Sequence, residues 1–81
     1  MHIDYKTRGT CAVMIHLDID EENKLRNVKF EGGCNGNLKA IGKLVEGRDA
    51  SEVKDILKGN ICGMKDTSCA DQLSLAIEEA L

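Results

Sequence analysis

CAVMIHLDID, residues 11–20, is the stretch whose reading decides the fold. Cys11, Val13, Ile15, Leu17 and Ile19 alternate strictly with Ala12, Met14, His16, Asp18 and Asp20. A hydrophobic period of two over a run this long predicts a strand with one buried face. Upstream, Ile3, Tyr5 and Thr7 alternate with His2, Asp4 and Lys6, which predicts a short edge strand, and Arg8-Gly9-Thr10 reads as the turn between the two. Downstream, Glu21-Glu22-Asn23-Lys24 is the connecting turn, and Leu25 to Glu31 is the next strand, with Val28 and Phe30 facing in. A short charged loop between two strands implies an antiparallel hairpin.

The period changes after Gly32-Gly33. Leu38, Ile41, Leu44 and Val45 fit a helical stripe, with Gly47 suited to end it. Asp49 with Glu52 three residues on forms a capping-box signature, Val53, Ile56 and Leu57 supply the stripe behind it, and Gly59 closes that helix. Ser68 with Asp71 repeats the signature ahead of Leu73, Ala76, Ile77, Ala80 and Leu81. Strands first and three helices after predict an α+β domain, its helices packed on one face of a small antiparallel sheet.

A chain of 81 residues is one domain and buries only about 60–65% of its unfolded surface. With one Phe, one Tyr and no Trp, its core must be aliphatic. Domains this short of core often add a staple such as disulfides, a metal or a partner subunit. The opening MHIDYKTRG has no apolar h-region, and no apolar run approaches about 18 residues, so the expectation is a cytosolic protein with no membrane span. Thiols stay reduced there, which turns four cysteines toward metal or redox chemistry. The net charge of −3, with no basic patch and no stacking aromatics, argues against a nucleic-acid partner.

Cys11, Cys34, Cys62 and Cys69 are separated by 22, 27 and 6 residues. No pair is C-x-x-C, so spacing alone gives neither a zinc ribbon nor a thioredoxin-type site. Position adds more. Cys11 begins the best strand, and Cys34 follows Gly32-Gly33 at the exit from its hairpin partner, so both belong to one edge of the sheet. Strand parity puts Cys11 in phase with Val13 and Ile15, and Cys34 with Val28 and Phe30, on the helix side. Cys62 lies in the inter-helix loop Gly59-Asn60-Ile61-Cys62-Gly63, and Cys69 stands at the start of the last helix, where free N–H groups favour an anion. Two hairpin-end thiols and two from the loop and helix start can form a tetrahedral S₄ site. Any one cysteine alone reads as an ordinary small buried residue. Four at element boundaries, most of them near glycine, favour a shared site.

Other candidates carry less. His16 alternates with Asp18 on the outer strand face and reads as solvated, and His2 lies by a terminus expected to fray. The acidic run Asp18-Ile19-Asp20-Glu21-Glu22 lacks calcium-loop spacing. Asn35 and Asn37 suit helix capping. Arg8, Lys58 and Lys65 are the cations available to offset thiolate charge. No Ser-His-Asp set, paired acid–base carboxylates or phosphate loop is present.

Taken together, Tyr5–Cys11, Gly32-Gly33-Cys34-Asn35-Gly36-Asn37, Ile61-Cys62-Gly63 and Thr67-Ser68-Cys69 resemble the TSCPD domain, and the whole chain is similar to its small stand-alone four-cysteine branch. Related domains end some ribonucleotide reductases, where cysteines are suspected of binding metal or assisting redox turnover. The resemblance implies that Cys11, Cys34, Cys62 and Cys69 are the family's cysteines and that a ribonucleotide reductase or another redox protein is the partner. Ala70 departs from the motif's proline, a residue suited to a first helical turn. Reductase activity belongs to the larger fused proteins, since 81 residues cannot hold a barrel or a nucleotide site. Val28–Cys34 with Lys43–Gly47 is also similar to the middle-cysteine stretch of U-type iron–sulfur scaffold proteins, though the remaining cysteines do not follow that pattern.

Three readings follow. The first is a metal-binding domain holding zinc or an iron–sulfur cluster through all four cysteines, not catalytic alone. The second is a thiol redox or sulfur-handling protein that cycles Cys62 and Cys69. The third is an interaction module with inert thiols, a homodimer that buries a surplus helix face.

Overall fold

The computed structural model describes residues 1–8, 12–32, 35–60 and 67–81, and the side chain of Asn35 is not among what it describes. The expected turn at Arg8-Gly9-Thr10, the caps assigned to Asn35, and Cys11, Cys34, Cys62 and Lys65 therefore fall wholly or partly outside the described residues.

Three strands, β1 (His2–Lys6), β2 (Ala12–Ile19) and β3 (Leu25–Gly32), precede three helices, α1 (Asn35–Val45), α2 (Ala50–Leu57) and α3 (Cys69–Ala80). The strands form one antiparallel sheet in the order β1-β2-β3, as the alternating patterns predict. Ile15, Leu17 and Ile19 of β2 and Leu25 and Val28 of β3 face Val45, Ala50, Val53, Leu73, Ala76 and Ile77 in one core. The two aromatics, Tyr5 and Phe30, only flank it, so the interior is aliphatic. Among the described residues no helix is long and apolar enough to cross a membrane.

The turns follow from their side chains. Between β2 and β3 the Asp20 carboxylate accepts from the Glu22 and Lys24 N–H groups, both at 2.9 Å, and from Arg26 Nε at 3.2 Å. Asn23 takes the left-handed conformation that this tight reversal needs, with φ of 65°. Gly47 does the same after α1, with φ of +76°, and its N–H donates to the Leu25 carbonyl at 2.7 Å. The α1–α2 connection is thereby stitched to the start of β3: Leu25 N–H donates to Arg48 O at 2.9 Å and Ala50 N–H to Asn23 O at 2.8 Å. Asp49 caps α2 by accepting from Glu52 N–H, and Ser68 caps α3 by accepting from Asp71 N–H, as both signatures predict. Helix α1 lies so close to β3 that a Cβ at Gly42 would meet the Val28 carbonyl oxygen at 2.7 Å.

Two bulges change the expected faces. Ala12 pairs with Gly32 and Met14 with Glu31, so β2 advances two residues against one. Val13 is the extra residue. It is 62% exposed, while Ala12 turns inward. Strict alternation is thus corrected at Ala12 and Val13, where the expected inner and outer faces are exchanged. The second shift lies between His16↔Lys29 and Asp18↔Arg26, where β3 carries the extra residue and Asn27 sits at φ of 54°. It brings Leu25 and Val28 to the same face.

The helical stripes are narrower than their periodicity suggests. Leu44 is 69% and Ile56 63% exposed. Helix α1 meets the sheet chiefly along β3, so the outer residue of its stripe, Leu44, reaches past the sheet. Leu81, the cap residue that follows α3, is exposed as well.

Candidate functional site

Helix α3 gathers its surroundings through its first turn. Cys69 is its first residue, half-buried and with a free thiol, at the helix start that the sequence assigns to it. Next to it Asp71 is buried and hydrogen-bonded on both oxygens: Oδ1 accepts from Gly59 N–H at 2.7 Å and Oδ2 from the Thr67 hydroxyl. A buried carboxylate needs such donors to offset its lost hydration. Thr67 Oγ1 in turn accepts from Gln72 Nε2 at 3.0 Å, and Gln72 Oε1 accepts from Arg8 N–H at 3.2 Å. The Ser68 hydroxyl, besides capping α3, donates to the Asn60 carbonyl. The chain just before residue 9 and the chain just before residue 61 are thus both fastened to the start of α3.

The same end of the molecule closes the sheet. Thr7 N–H donates to Val13 O at 3.3 Å, and the Thr7 hydroxyl to Ala12 O at 2.5 Å. Ala12 is the register partner of Gly32, the last residue of β3. Of the candidate cations, Lys58 instead approaches Glu78 at 4.0 Å, and Arg8 contributes its backbone N–H to Gln72.

A second polar cluster occupies the outer face of the sheet, away from the helices. The pairing sets His2 opposite Asp18 and Asp4 opposite His16. His-Ile-Asp on β1 and His-Leu-Asp on β2 therefore meet head to tail, their central apolar residues opposite each other. His2 Nδ1 lies 2.6 Å from Asp18 Oδ1, and His16 Nδ1 lies 2.6 Å from Asp4 Oδ1. The remaining ring nitrogens are also engaged: His2 Nε2 with the same Asp4 Oδ1 at 2.7 Å, and His16 Nε2 with Glu31 Oε2 at 3.0 Å. Asp18 is held from behind by Asn27 Nδ2 at 3.1 Å. His2 is no frayed residue, because Ile19 N–H donates to Met1 O at 2.8 Å and extends the β1–β2 pairing past it. His16 is not simply solvated either.

The electrostatics follow from these contacts. The hydrogen bond to Asp18, then that to Asp4, raises the His2 pKa above the ordinary histidine value, and Asp4 followed by Glu31 raises that of His16. The hydrogen bond from His16, then that from His2, holds the Asp4 carboxyl below the ordinary range. Asn27 followed by His2 does so for Asp18.

Residues 3–81 match the TSCPD domain. The chain belongs to the TSCPD domain family. No curated protein and no solved structure matches it significantly.

The geometry gives the family's name-bearing stretch a physical meaning in this TSCPD domain. In Thr67-Ser68-Cys69-Ala70-Asp71, Thr67 donates to Asp71, Ser68 caps the helix and reaches Asn60, and Asp71 anchors Gly59. Cys69 is the one polar member of the five that this network leaves free for other chemistry. Ala70, where the motif has proline, is buried in the first turn, so the substitution leaves the helix start intact. Taken singly, neither outer-face histidine signals a cluster in the sequence. The repeated His-apolar-Asp tripeptide was the available signal, but only the register shows that the two copies face each other.

Proposed function

We propose that this TSCPD domain is a small metal-binding module in which Cys11, Cys34, Cys62 and Cys69 together hold zinc or an iron–sulfur cluster, accessory to ribonucleotide-reductase-like redox chemistry in a reducing compartment. The observation that carries this reading is the convergence of the segments that flank the cysteines. Cys69 begins α3. Asn60, two residues before Cys62, accepts from Ser68, and Arg8, three residues before Cys11, donates to Gln72. Ala12, next to Cys11, pairs with Gly32, two residues before Cys34. Such anchoring favours four thiols reaching one centre, and four thiolates suit zinc or iron–sulfur chemistry. A core with few large residues also gives a bound metal a structural role as a staple.

Elemental analysis of protein purified without oxygen, combined with thiol counts before and after unfolding, tests this reading. The expected result is about one zinc, or a few iron, per chain, with thiols protected until the chain unfolds. Serine substitution at any of the four cysteines then lowers metal content and stability together. Four titratable thiols and no metal in the folded protein would sink the proposal.

One contact favours a second reading. The Ser68–Asn60 hydrogen bond brings together the segments bearing Cys69 and Cys62, as a cycling thiol pair would require. That reading predicts loss of redox activity on substituting Cys62 or Cys69 alone, with Cys11 and Cys34 dispensable.

A further inference from the structure

We propose that the outer face of the sheet is a separate transition-metal site, with His2 Nε2, His16 Nδ1 and Asp4 Oδ1 as ligands and Asp18 and Glu31 as the carboxylates that orient the two imidazoles. The three ligand atoms lie within 4.8 Å of one another. Ligands of one zinc-sized ion at bond lengths near 2.0–2.1 Å stand about 3 Å apart, so small side-chain rotations complete the set. Two imidazole nitrogens already converge on a single oxygen, Asp4 Oδ1, at 2.7 and 2.6 Å. When both rings are doubly protonated, a divalent ion placed among the three replaces the two protons that face this oxygen and leaves the charge of the cluster unchanged.

The second layer is what distinguishes this cluster from exposed acidic groups in general. A histidine that binds metal through one nitrogen ordinarily donates its other N–H to a carboxylate, which fixes the tautomer and the ring plane. Both rings here have that partner: His2 Nδ1 at Asp18, 2.6 Å away, and His16 Nε2 at Glu31, 3.0 Å away. Asp18 is itself held by Asn27, the residue that the β3 bulge turns onto this face. Paired strands carry all three ligands, two of them at i and i+2 on β1 and the third directly across on β2, so the backbone presets the geometry. Two nitrogens and one oxygen suit zinc, cobalt(II), nickel(II) or copper(II) better than calcium or magnesium. Three protein ligands on an open face also leave at least one coordination position for water.

The test is a cobalt(II) titration of the full chain under anaerobic conditions, after a single equivalent of zinc, which four thiolates take in preference to an imidazole–carboxylate set, has filled any thiolate site. The expected outcome is one further cobalt per chain, giving visible d–d bands without thiolate-to-cobalt charge transfer. Paramagnetic broadening confined to the ring signals of both His2 and His16 is expected in the unmodified protein, which needs no variant to fold. Asp18→Asn and Glu31→Gln should each weaken binding by about 10-fold or more. Asp4→Asn and His16→Gln should weaken it further, with far-ultraviolet circular dichroism unchanged. Three results overturn the proposal: no cobalt beyond the thiolate capacity, charge-transfer bands from sulfur, or binding that needs His2 but is indifferent to His16 and Asp4, which is chelation at the chain end. The imidazole and thiolate readouts are distinct, so this site and the cysteine centre stand or fall separately.

Discussion

The start of α3 and the outer face of the sheet both carry polar clusters with comparable hydrogen-bond lengths, but they do different work because one is dry and the other wet. Asp71, Ser68, Gln72 and Thr7 are buried. Their hydrogen bonds hold together segments distant in sequence, and a lost partner leaves a group that water cannot reach. His2, Asp4 and Glu31 are exposed, and His16 and Asp18 are half-exposed. Water competes for each of those contacts, so they add little to the fold and remain available to a ligand. Hydrogen bonds that hold the fold are concentrated at the first cluster, and solvent-accessible polar groups at the second.

The sharpest way to break this contrast is to remove Asp71. Asp71→Ala strips Gly59 N–H and the Thr67 hydroxyl of their acceptor in a buried place. Hydrogen bonds to a charged group contribute roughly 1.5–3 kcal/mol each, so a loss of about 3 kcal/mol is expected on urea unfolding. If the proposed cysteine centre is formed, its metal content should fall with it, because the anchor between Gly59 and α3 is lost. A change below about 0.5 kcal/mol would show that the buried network is incidental.

Gly42→Ala tests the packing that positions β3. A helix interior ordinarily gains stability from this change. Here the new methyl would meet Val28 O at 2.7 Å, so α1 must lift off the sheet. The sign should therefore reverse, with destabilisation of about 2 kcal/mol, the usual scale of overpacking. Stabilisation would mean that α1 and β3 are not in close contact.

Ser74→Ala sharpens the comparison from the other side. The Ser74 hydroxyl is buried in α3, and among the described residues it has no hydrogen-bond partner. Removing an unsatisfied buried hydroxyl should stabilise the protein by about 1 kcal/mol. A measurable loss would instead show that the hydroxyl is satisfied in solution.

Much of this was legible in the sequence, for local reasons. The caps at Asp49 and Ser68, the reversal at Gly47 and the order of strands and helices depend on residues close together in the chain. What escaped depends on pairing. The bulges at Val13 and Asn27 are decided by how two strands align, and each inverts the face of what lies beyond it. The exposure of Leu44 and Ile56 depends on how much sheet is there to cover them. The place of Cys69 at the start of α3 could be read because Ser68 and Asp71 carry a cap signal beside it. The histidine cluster could not, because alternation places His2 and His16 on a face but does not set one opposite the other.

The smallest effect expected is the pH dependence of the outer face, and its shape is diagnostic. His2 and His16 have raised pKa values, so their stabilising contribution is complete below the ordinary histidine value and is lost as pH rises through the raised values. Asp4 and Asp18 have lowered pKa values, so their contribution is complete above the ordinary carboxyl value and is lost as pH falls through the depressed ones. Both hold only between those limits, in mildly acidic solution. With chelator present, the difference in Tm between the unmodified protein and His16→Gln should peak in that window, shrink at both ends, and weaken further as added salt screens the exposed pairs. A difference that stays flat across pH would mean that the imidazoles do not share their protons with the carboxylates, and the case for a preformed ligand set would weaken with it.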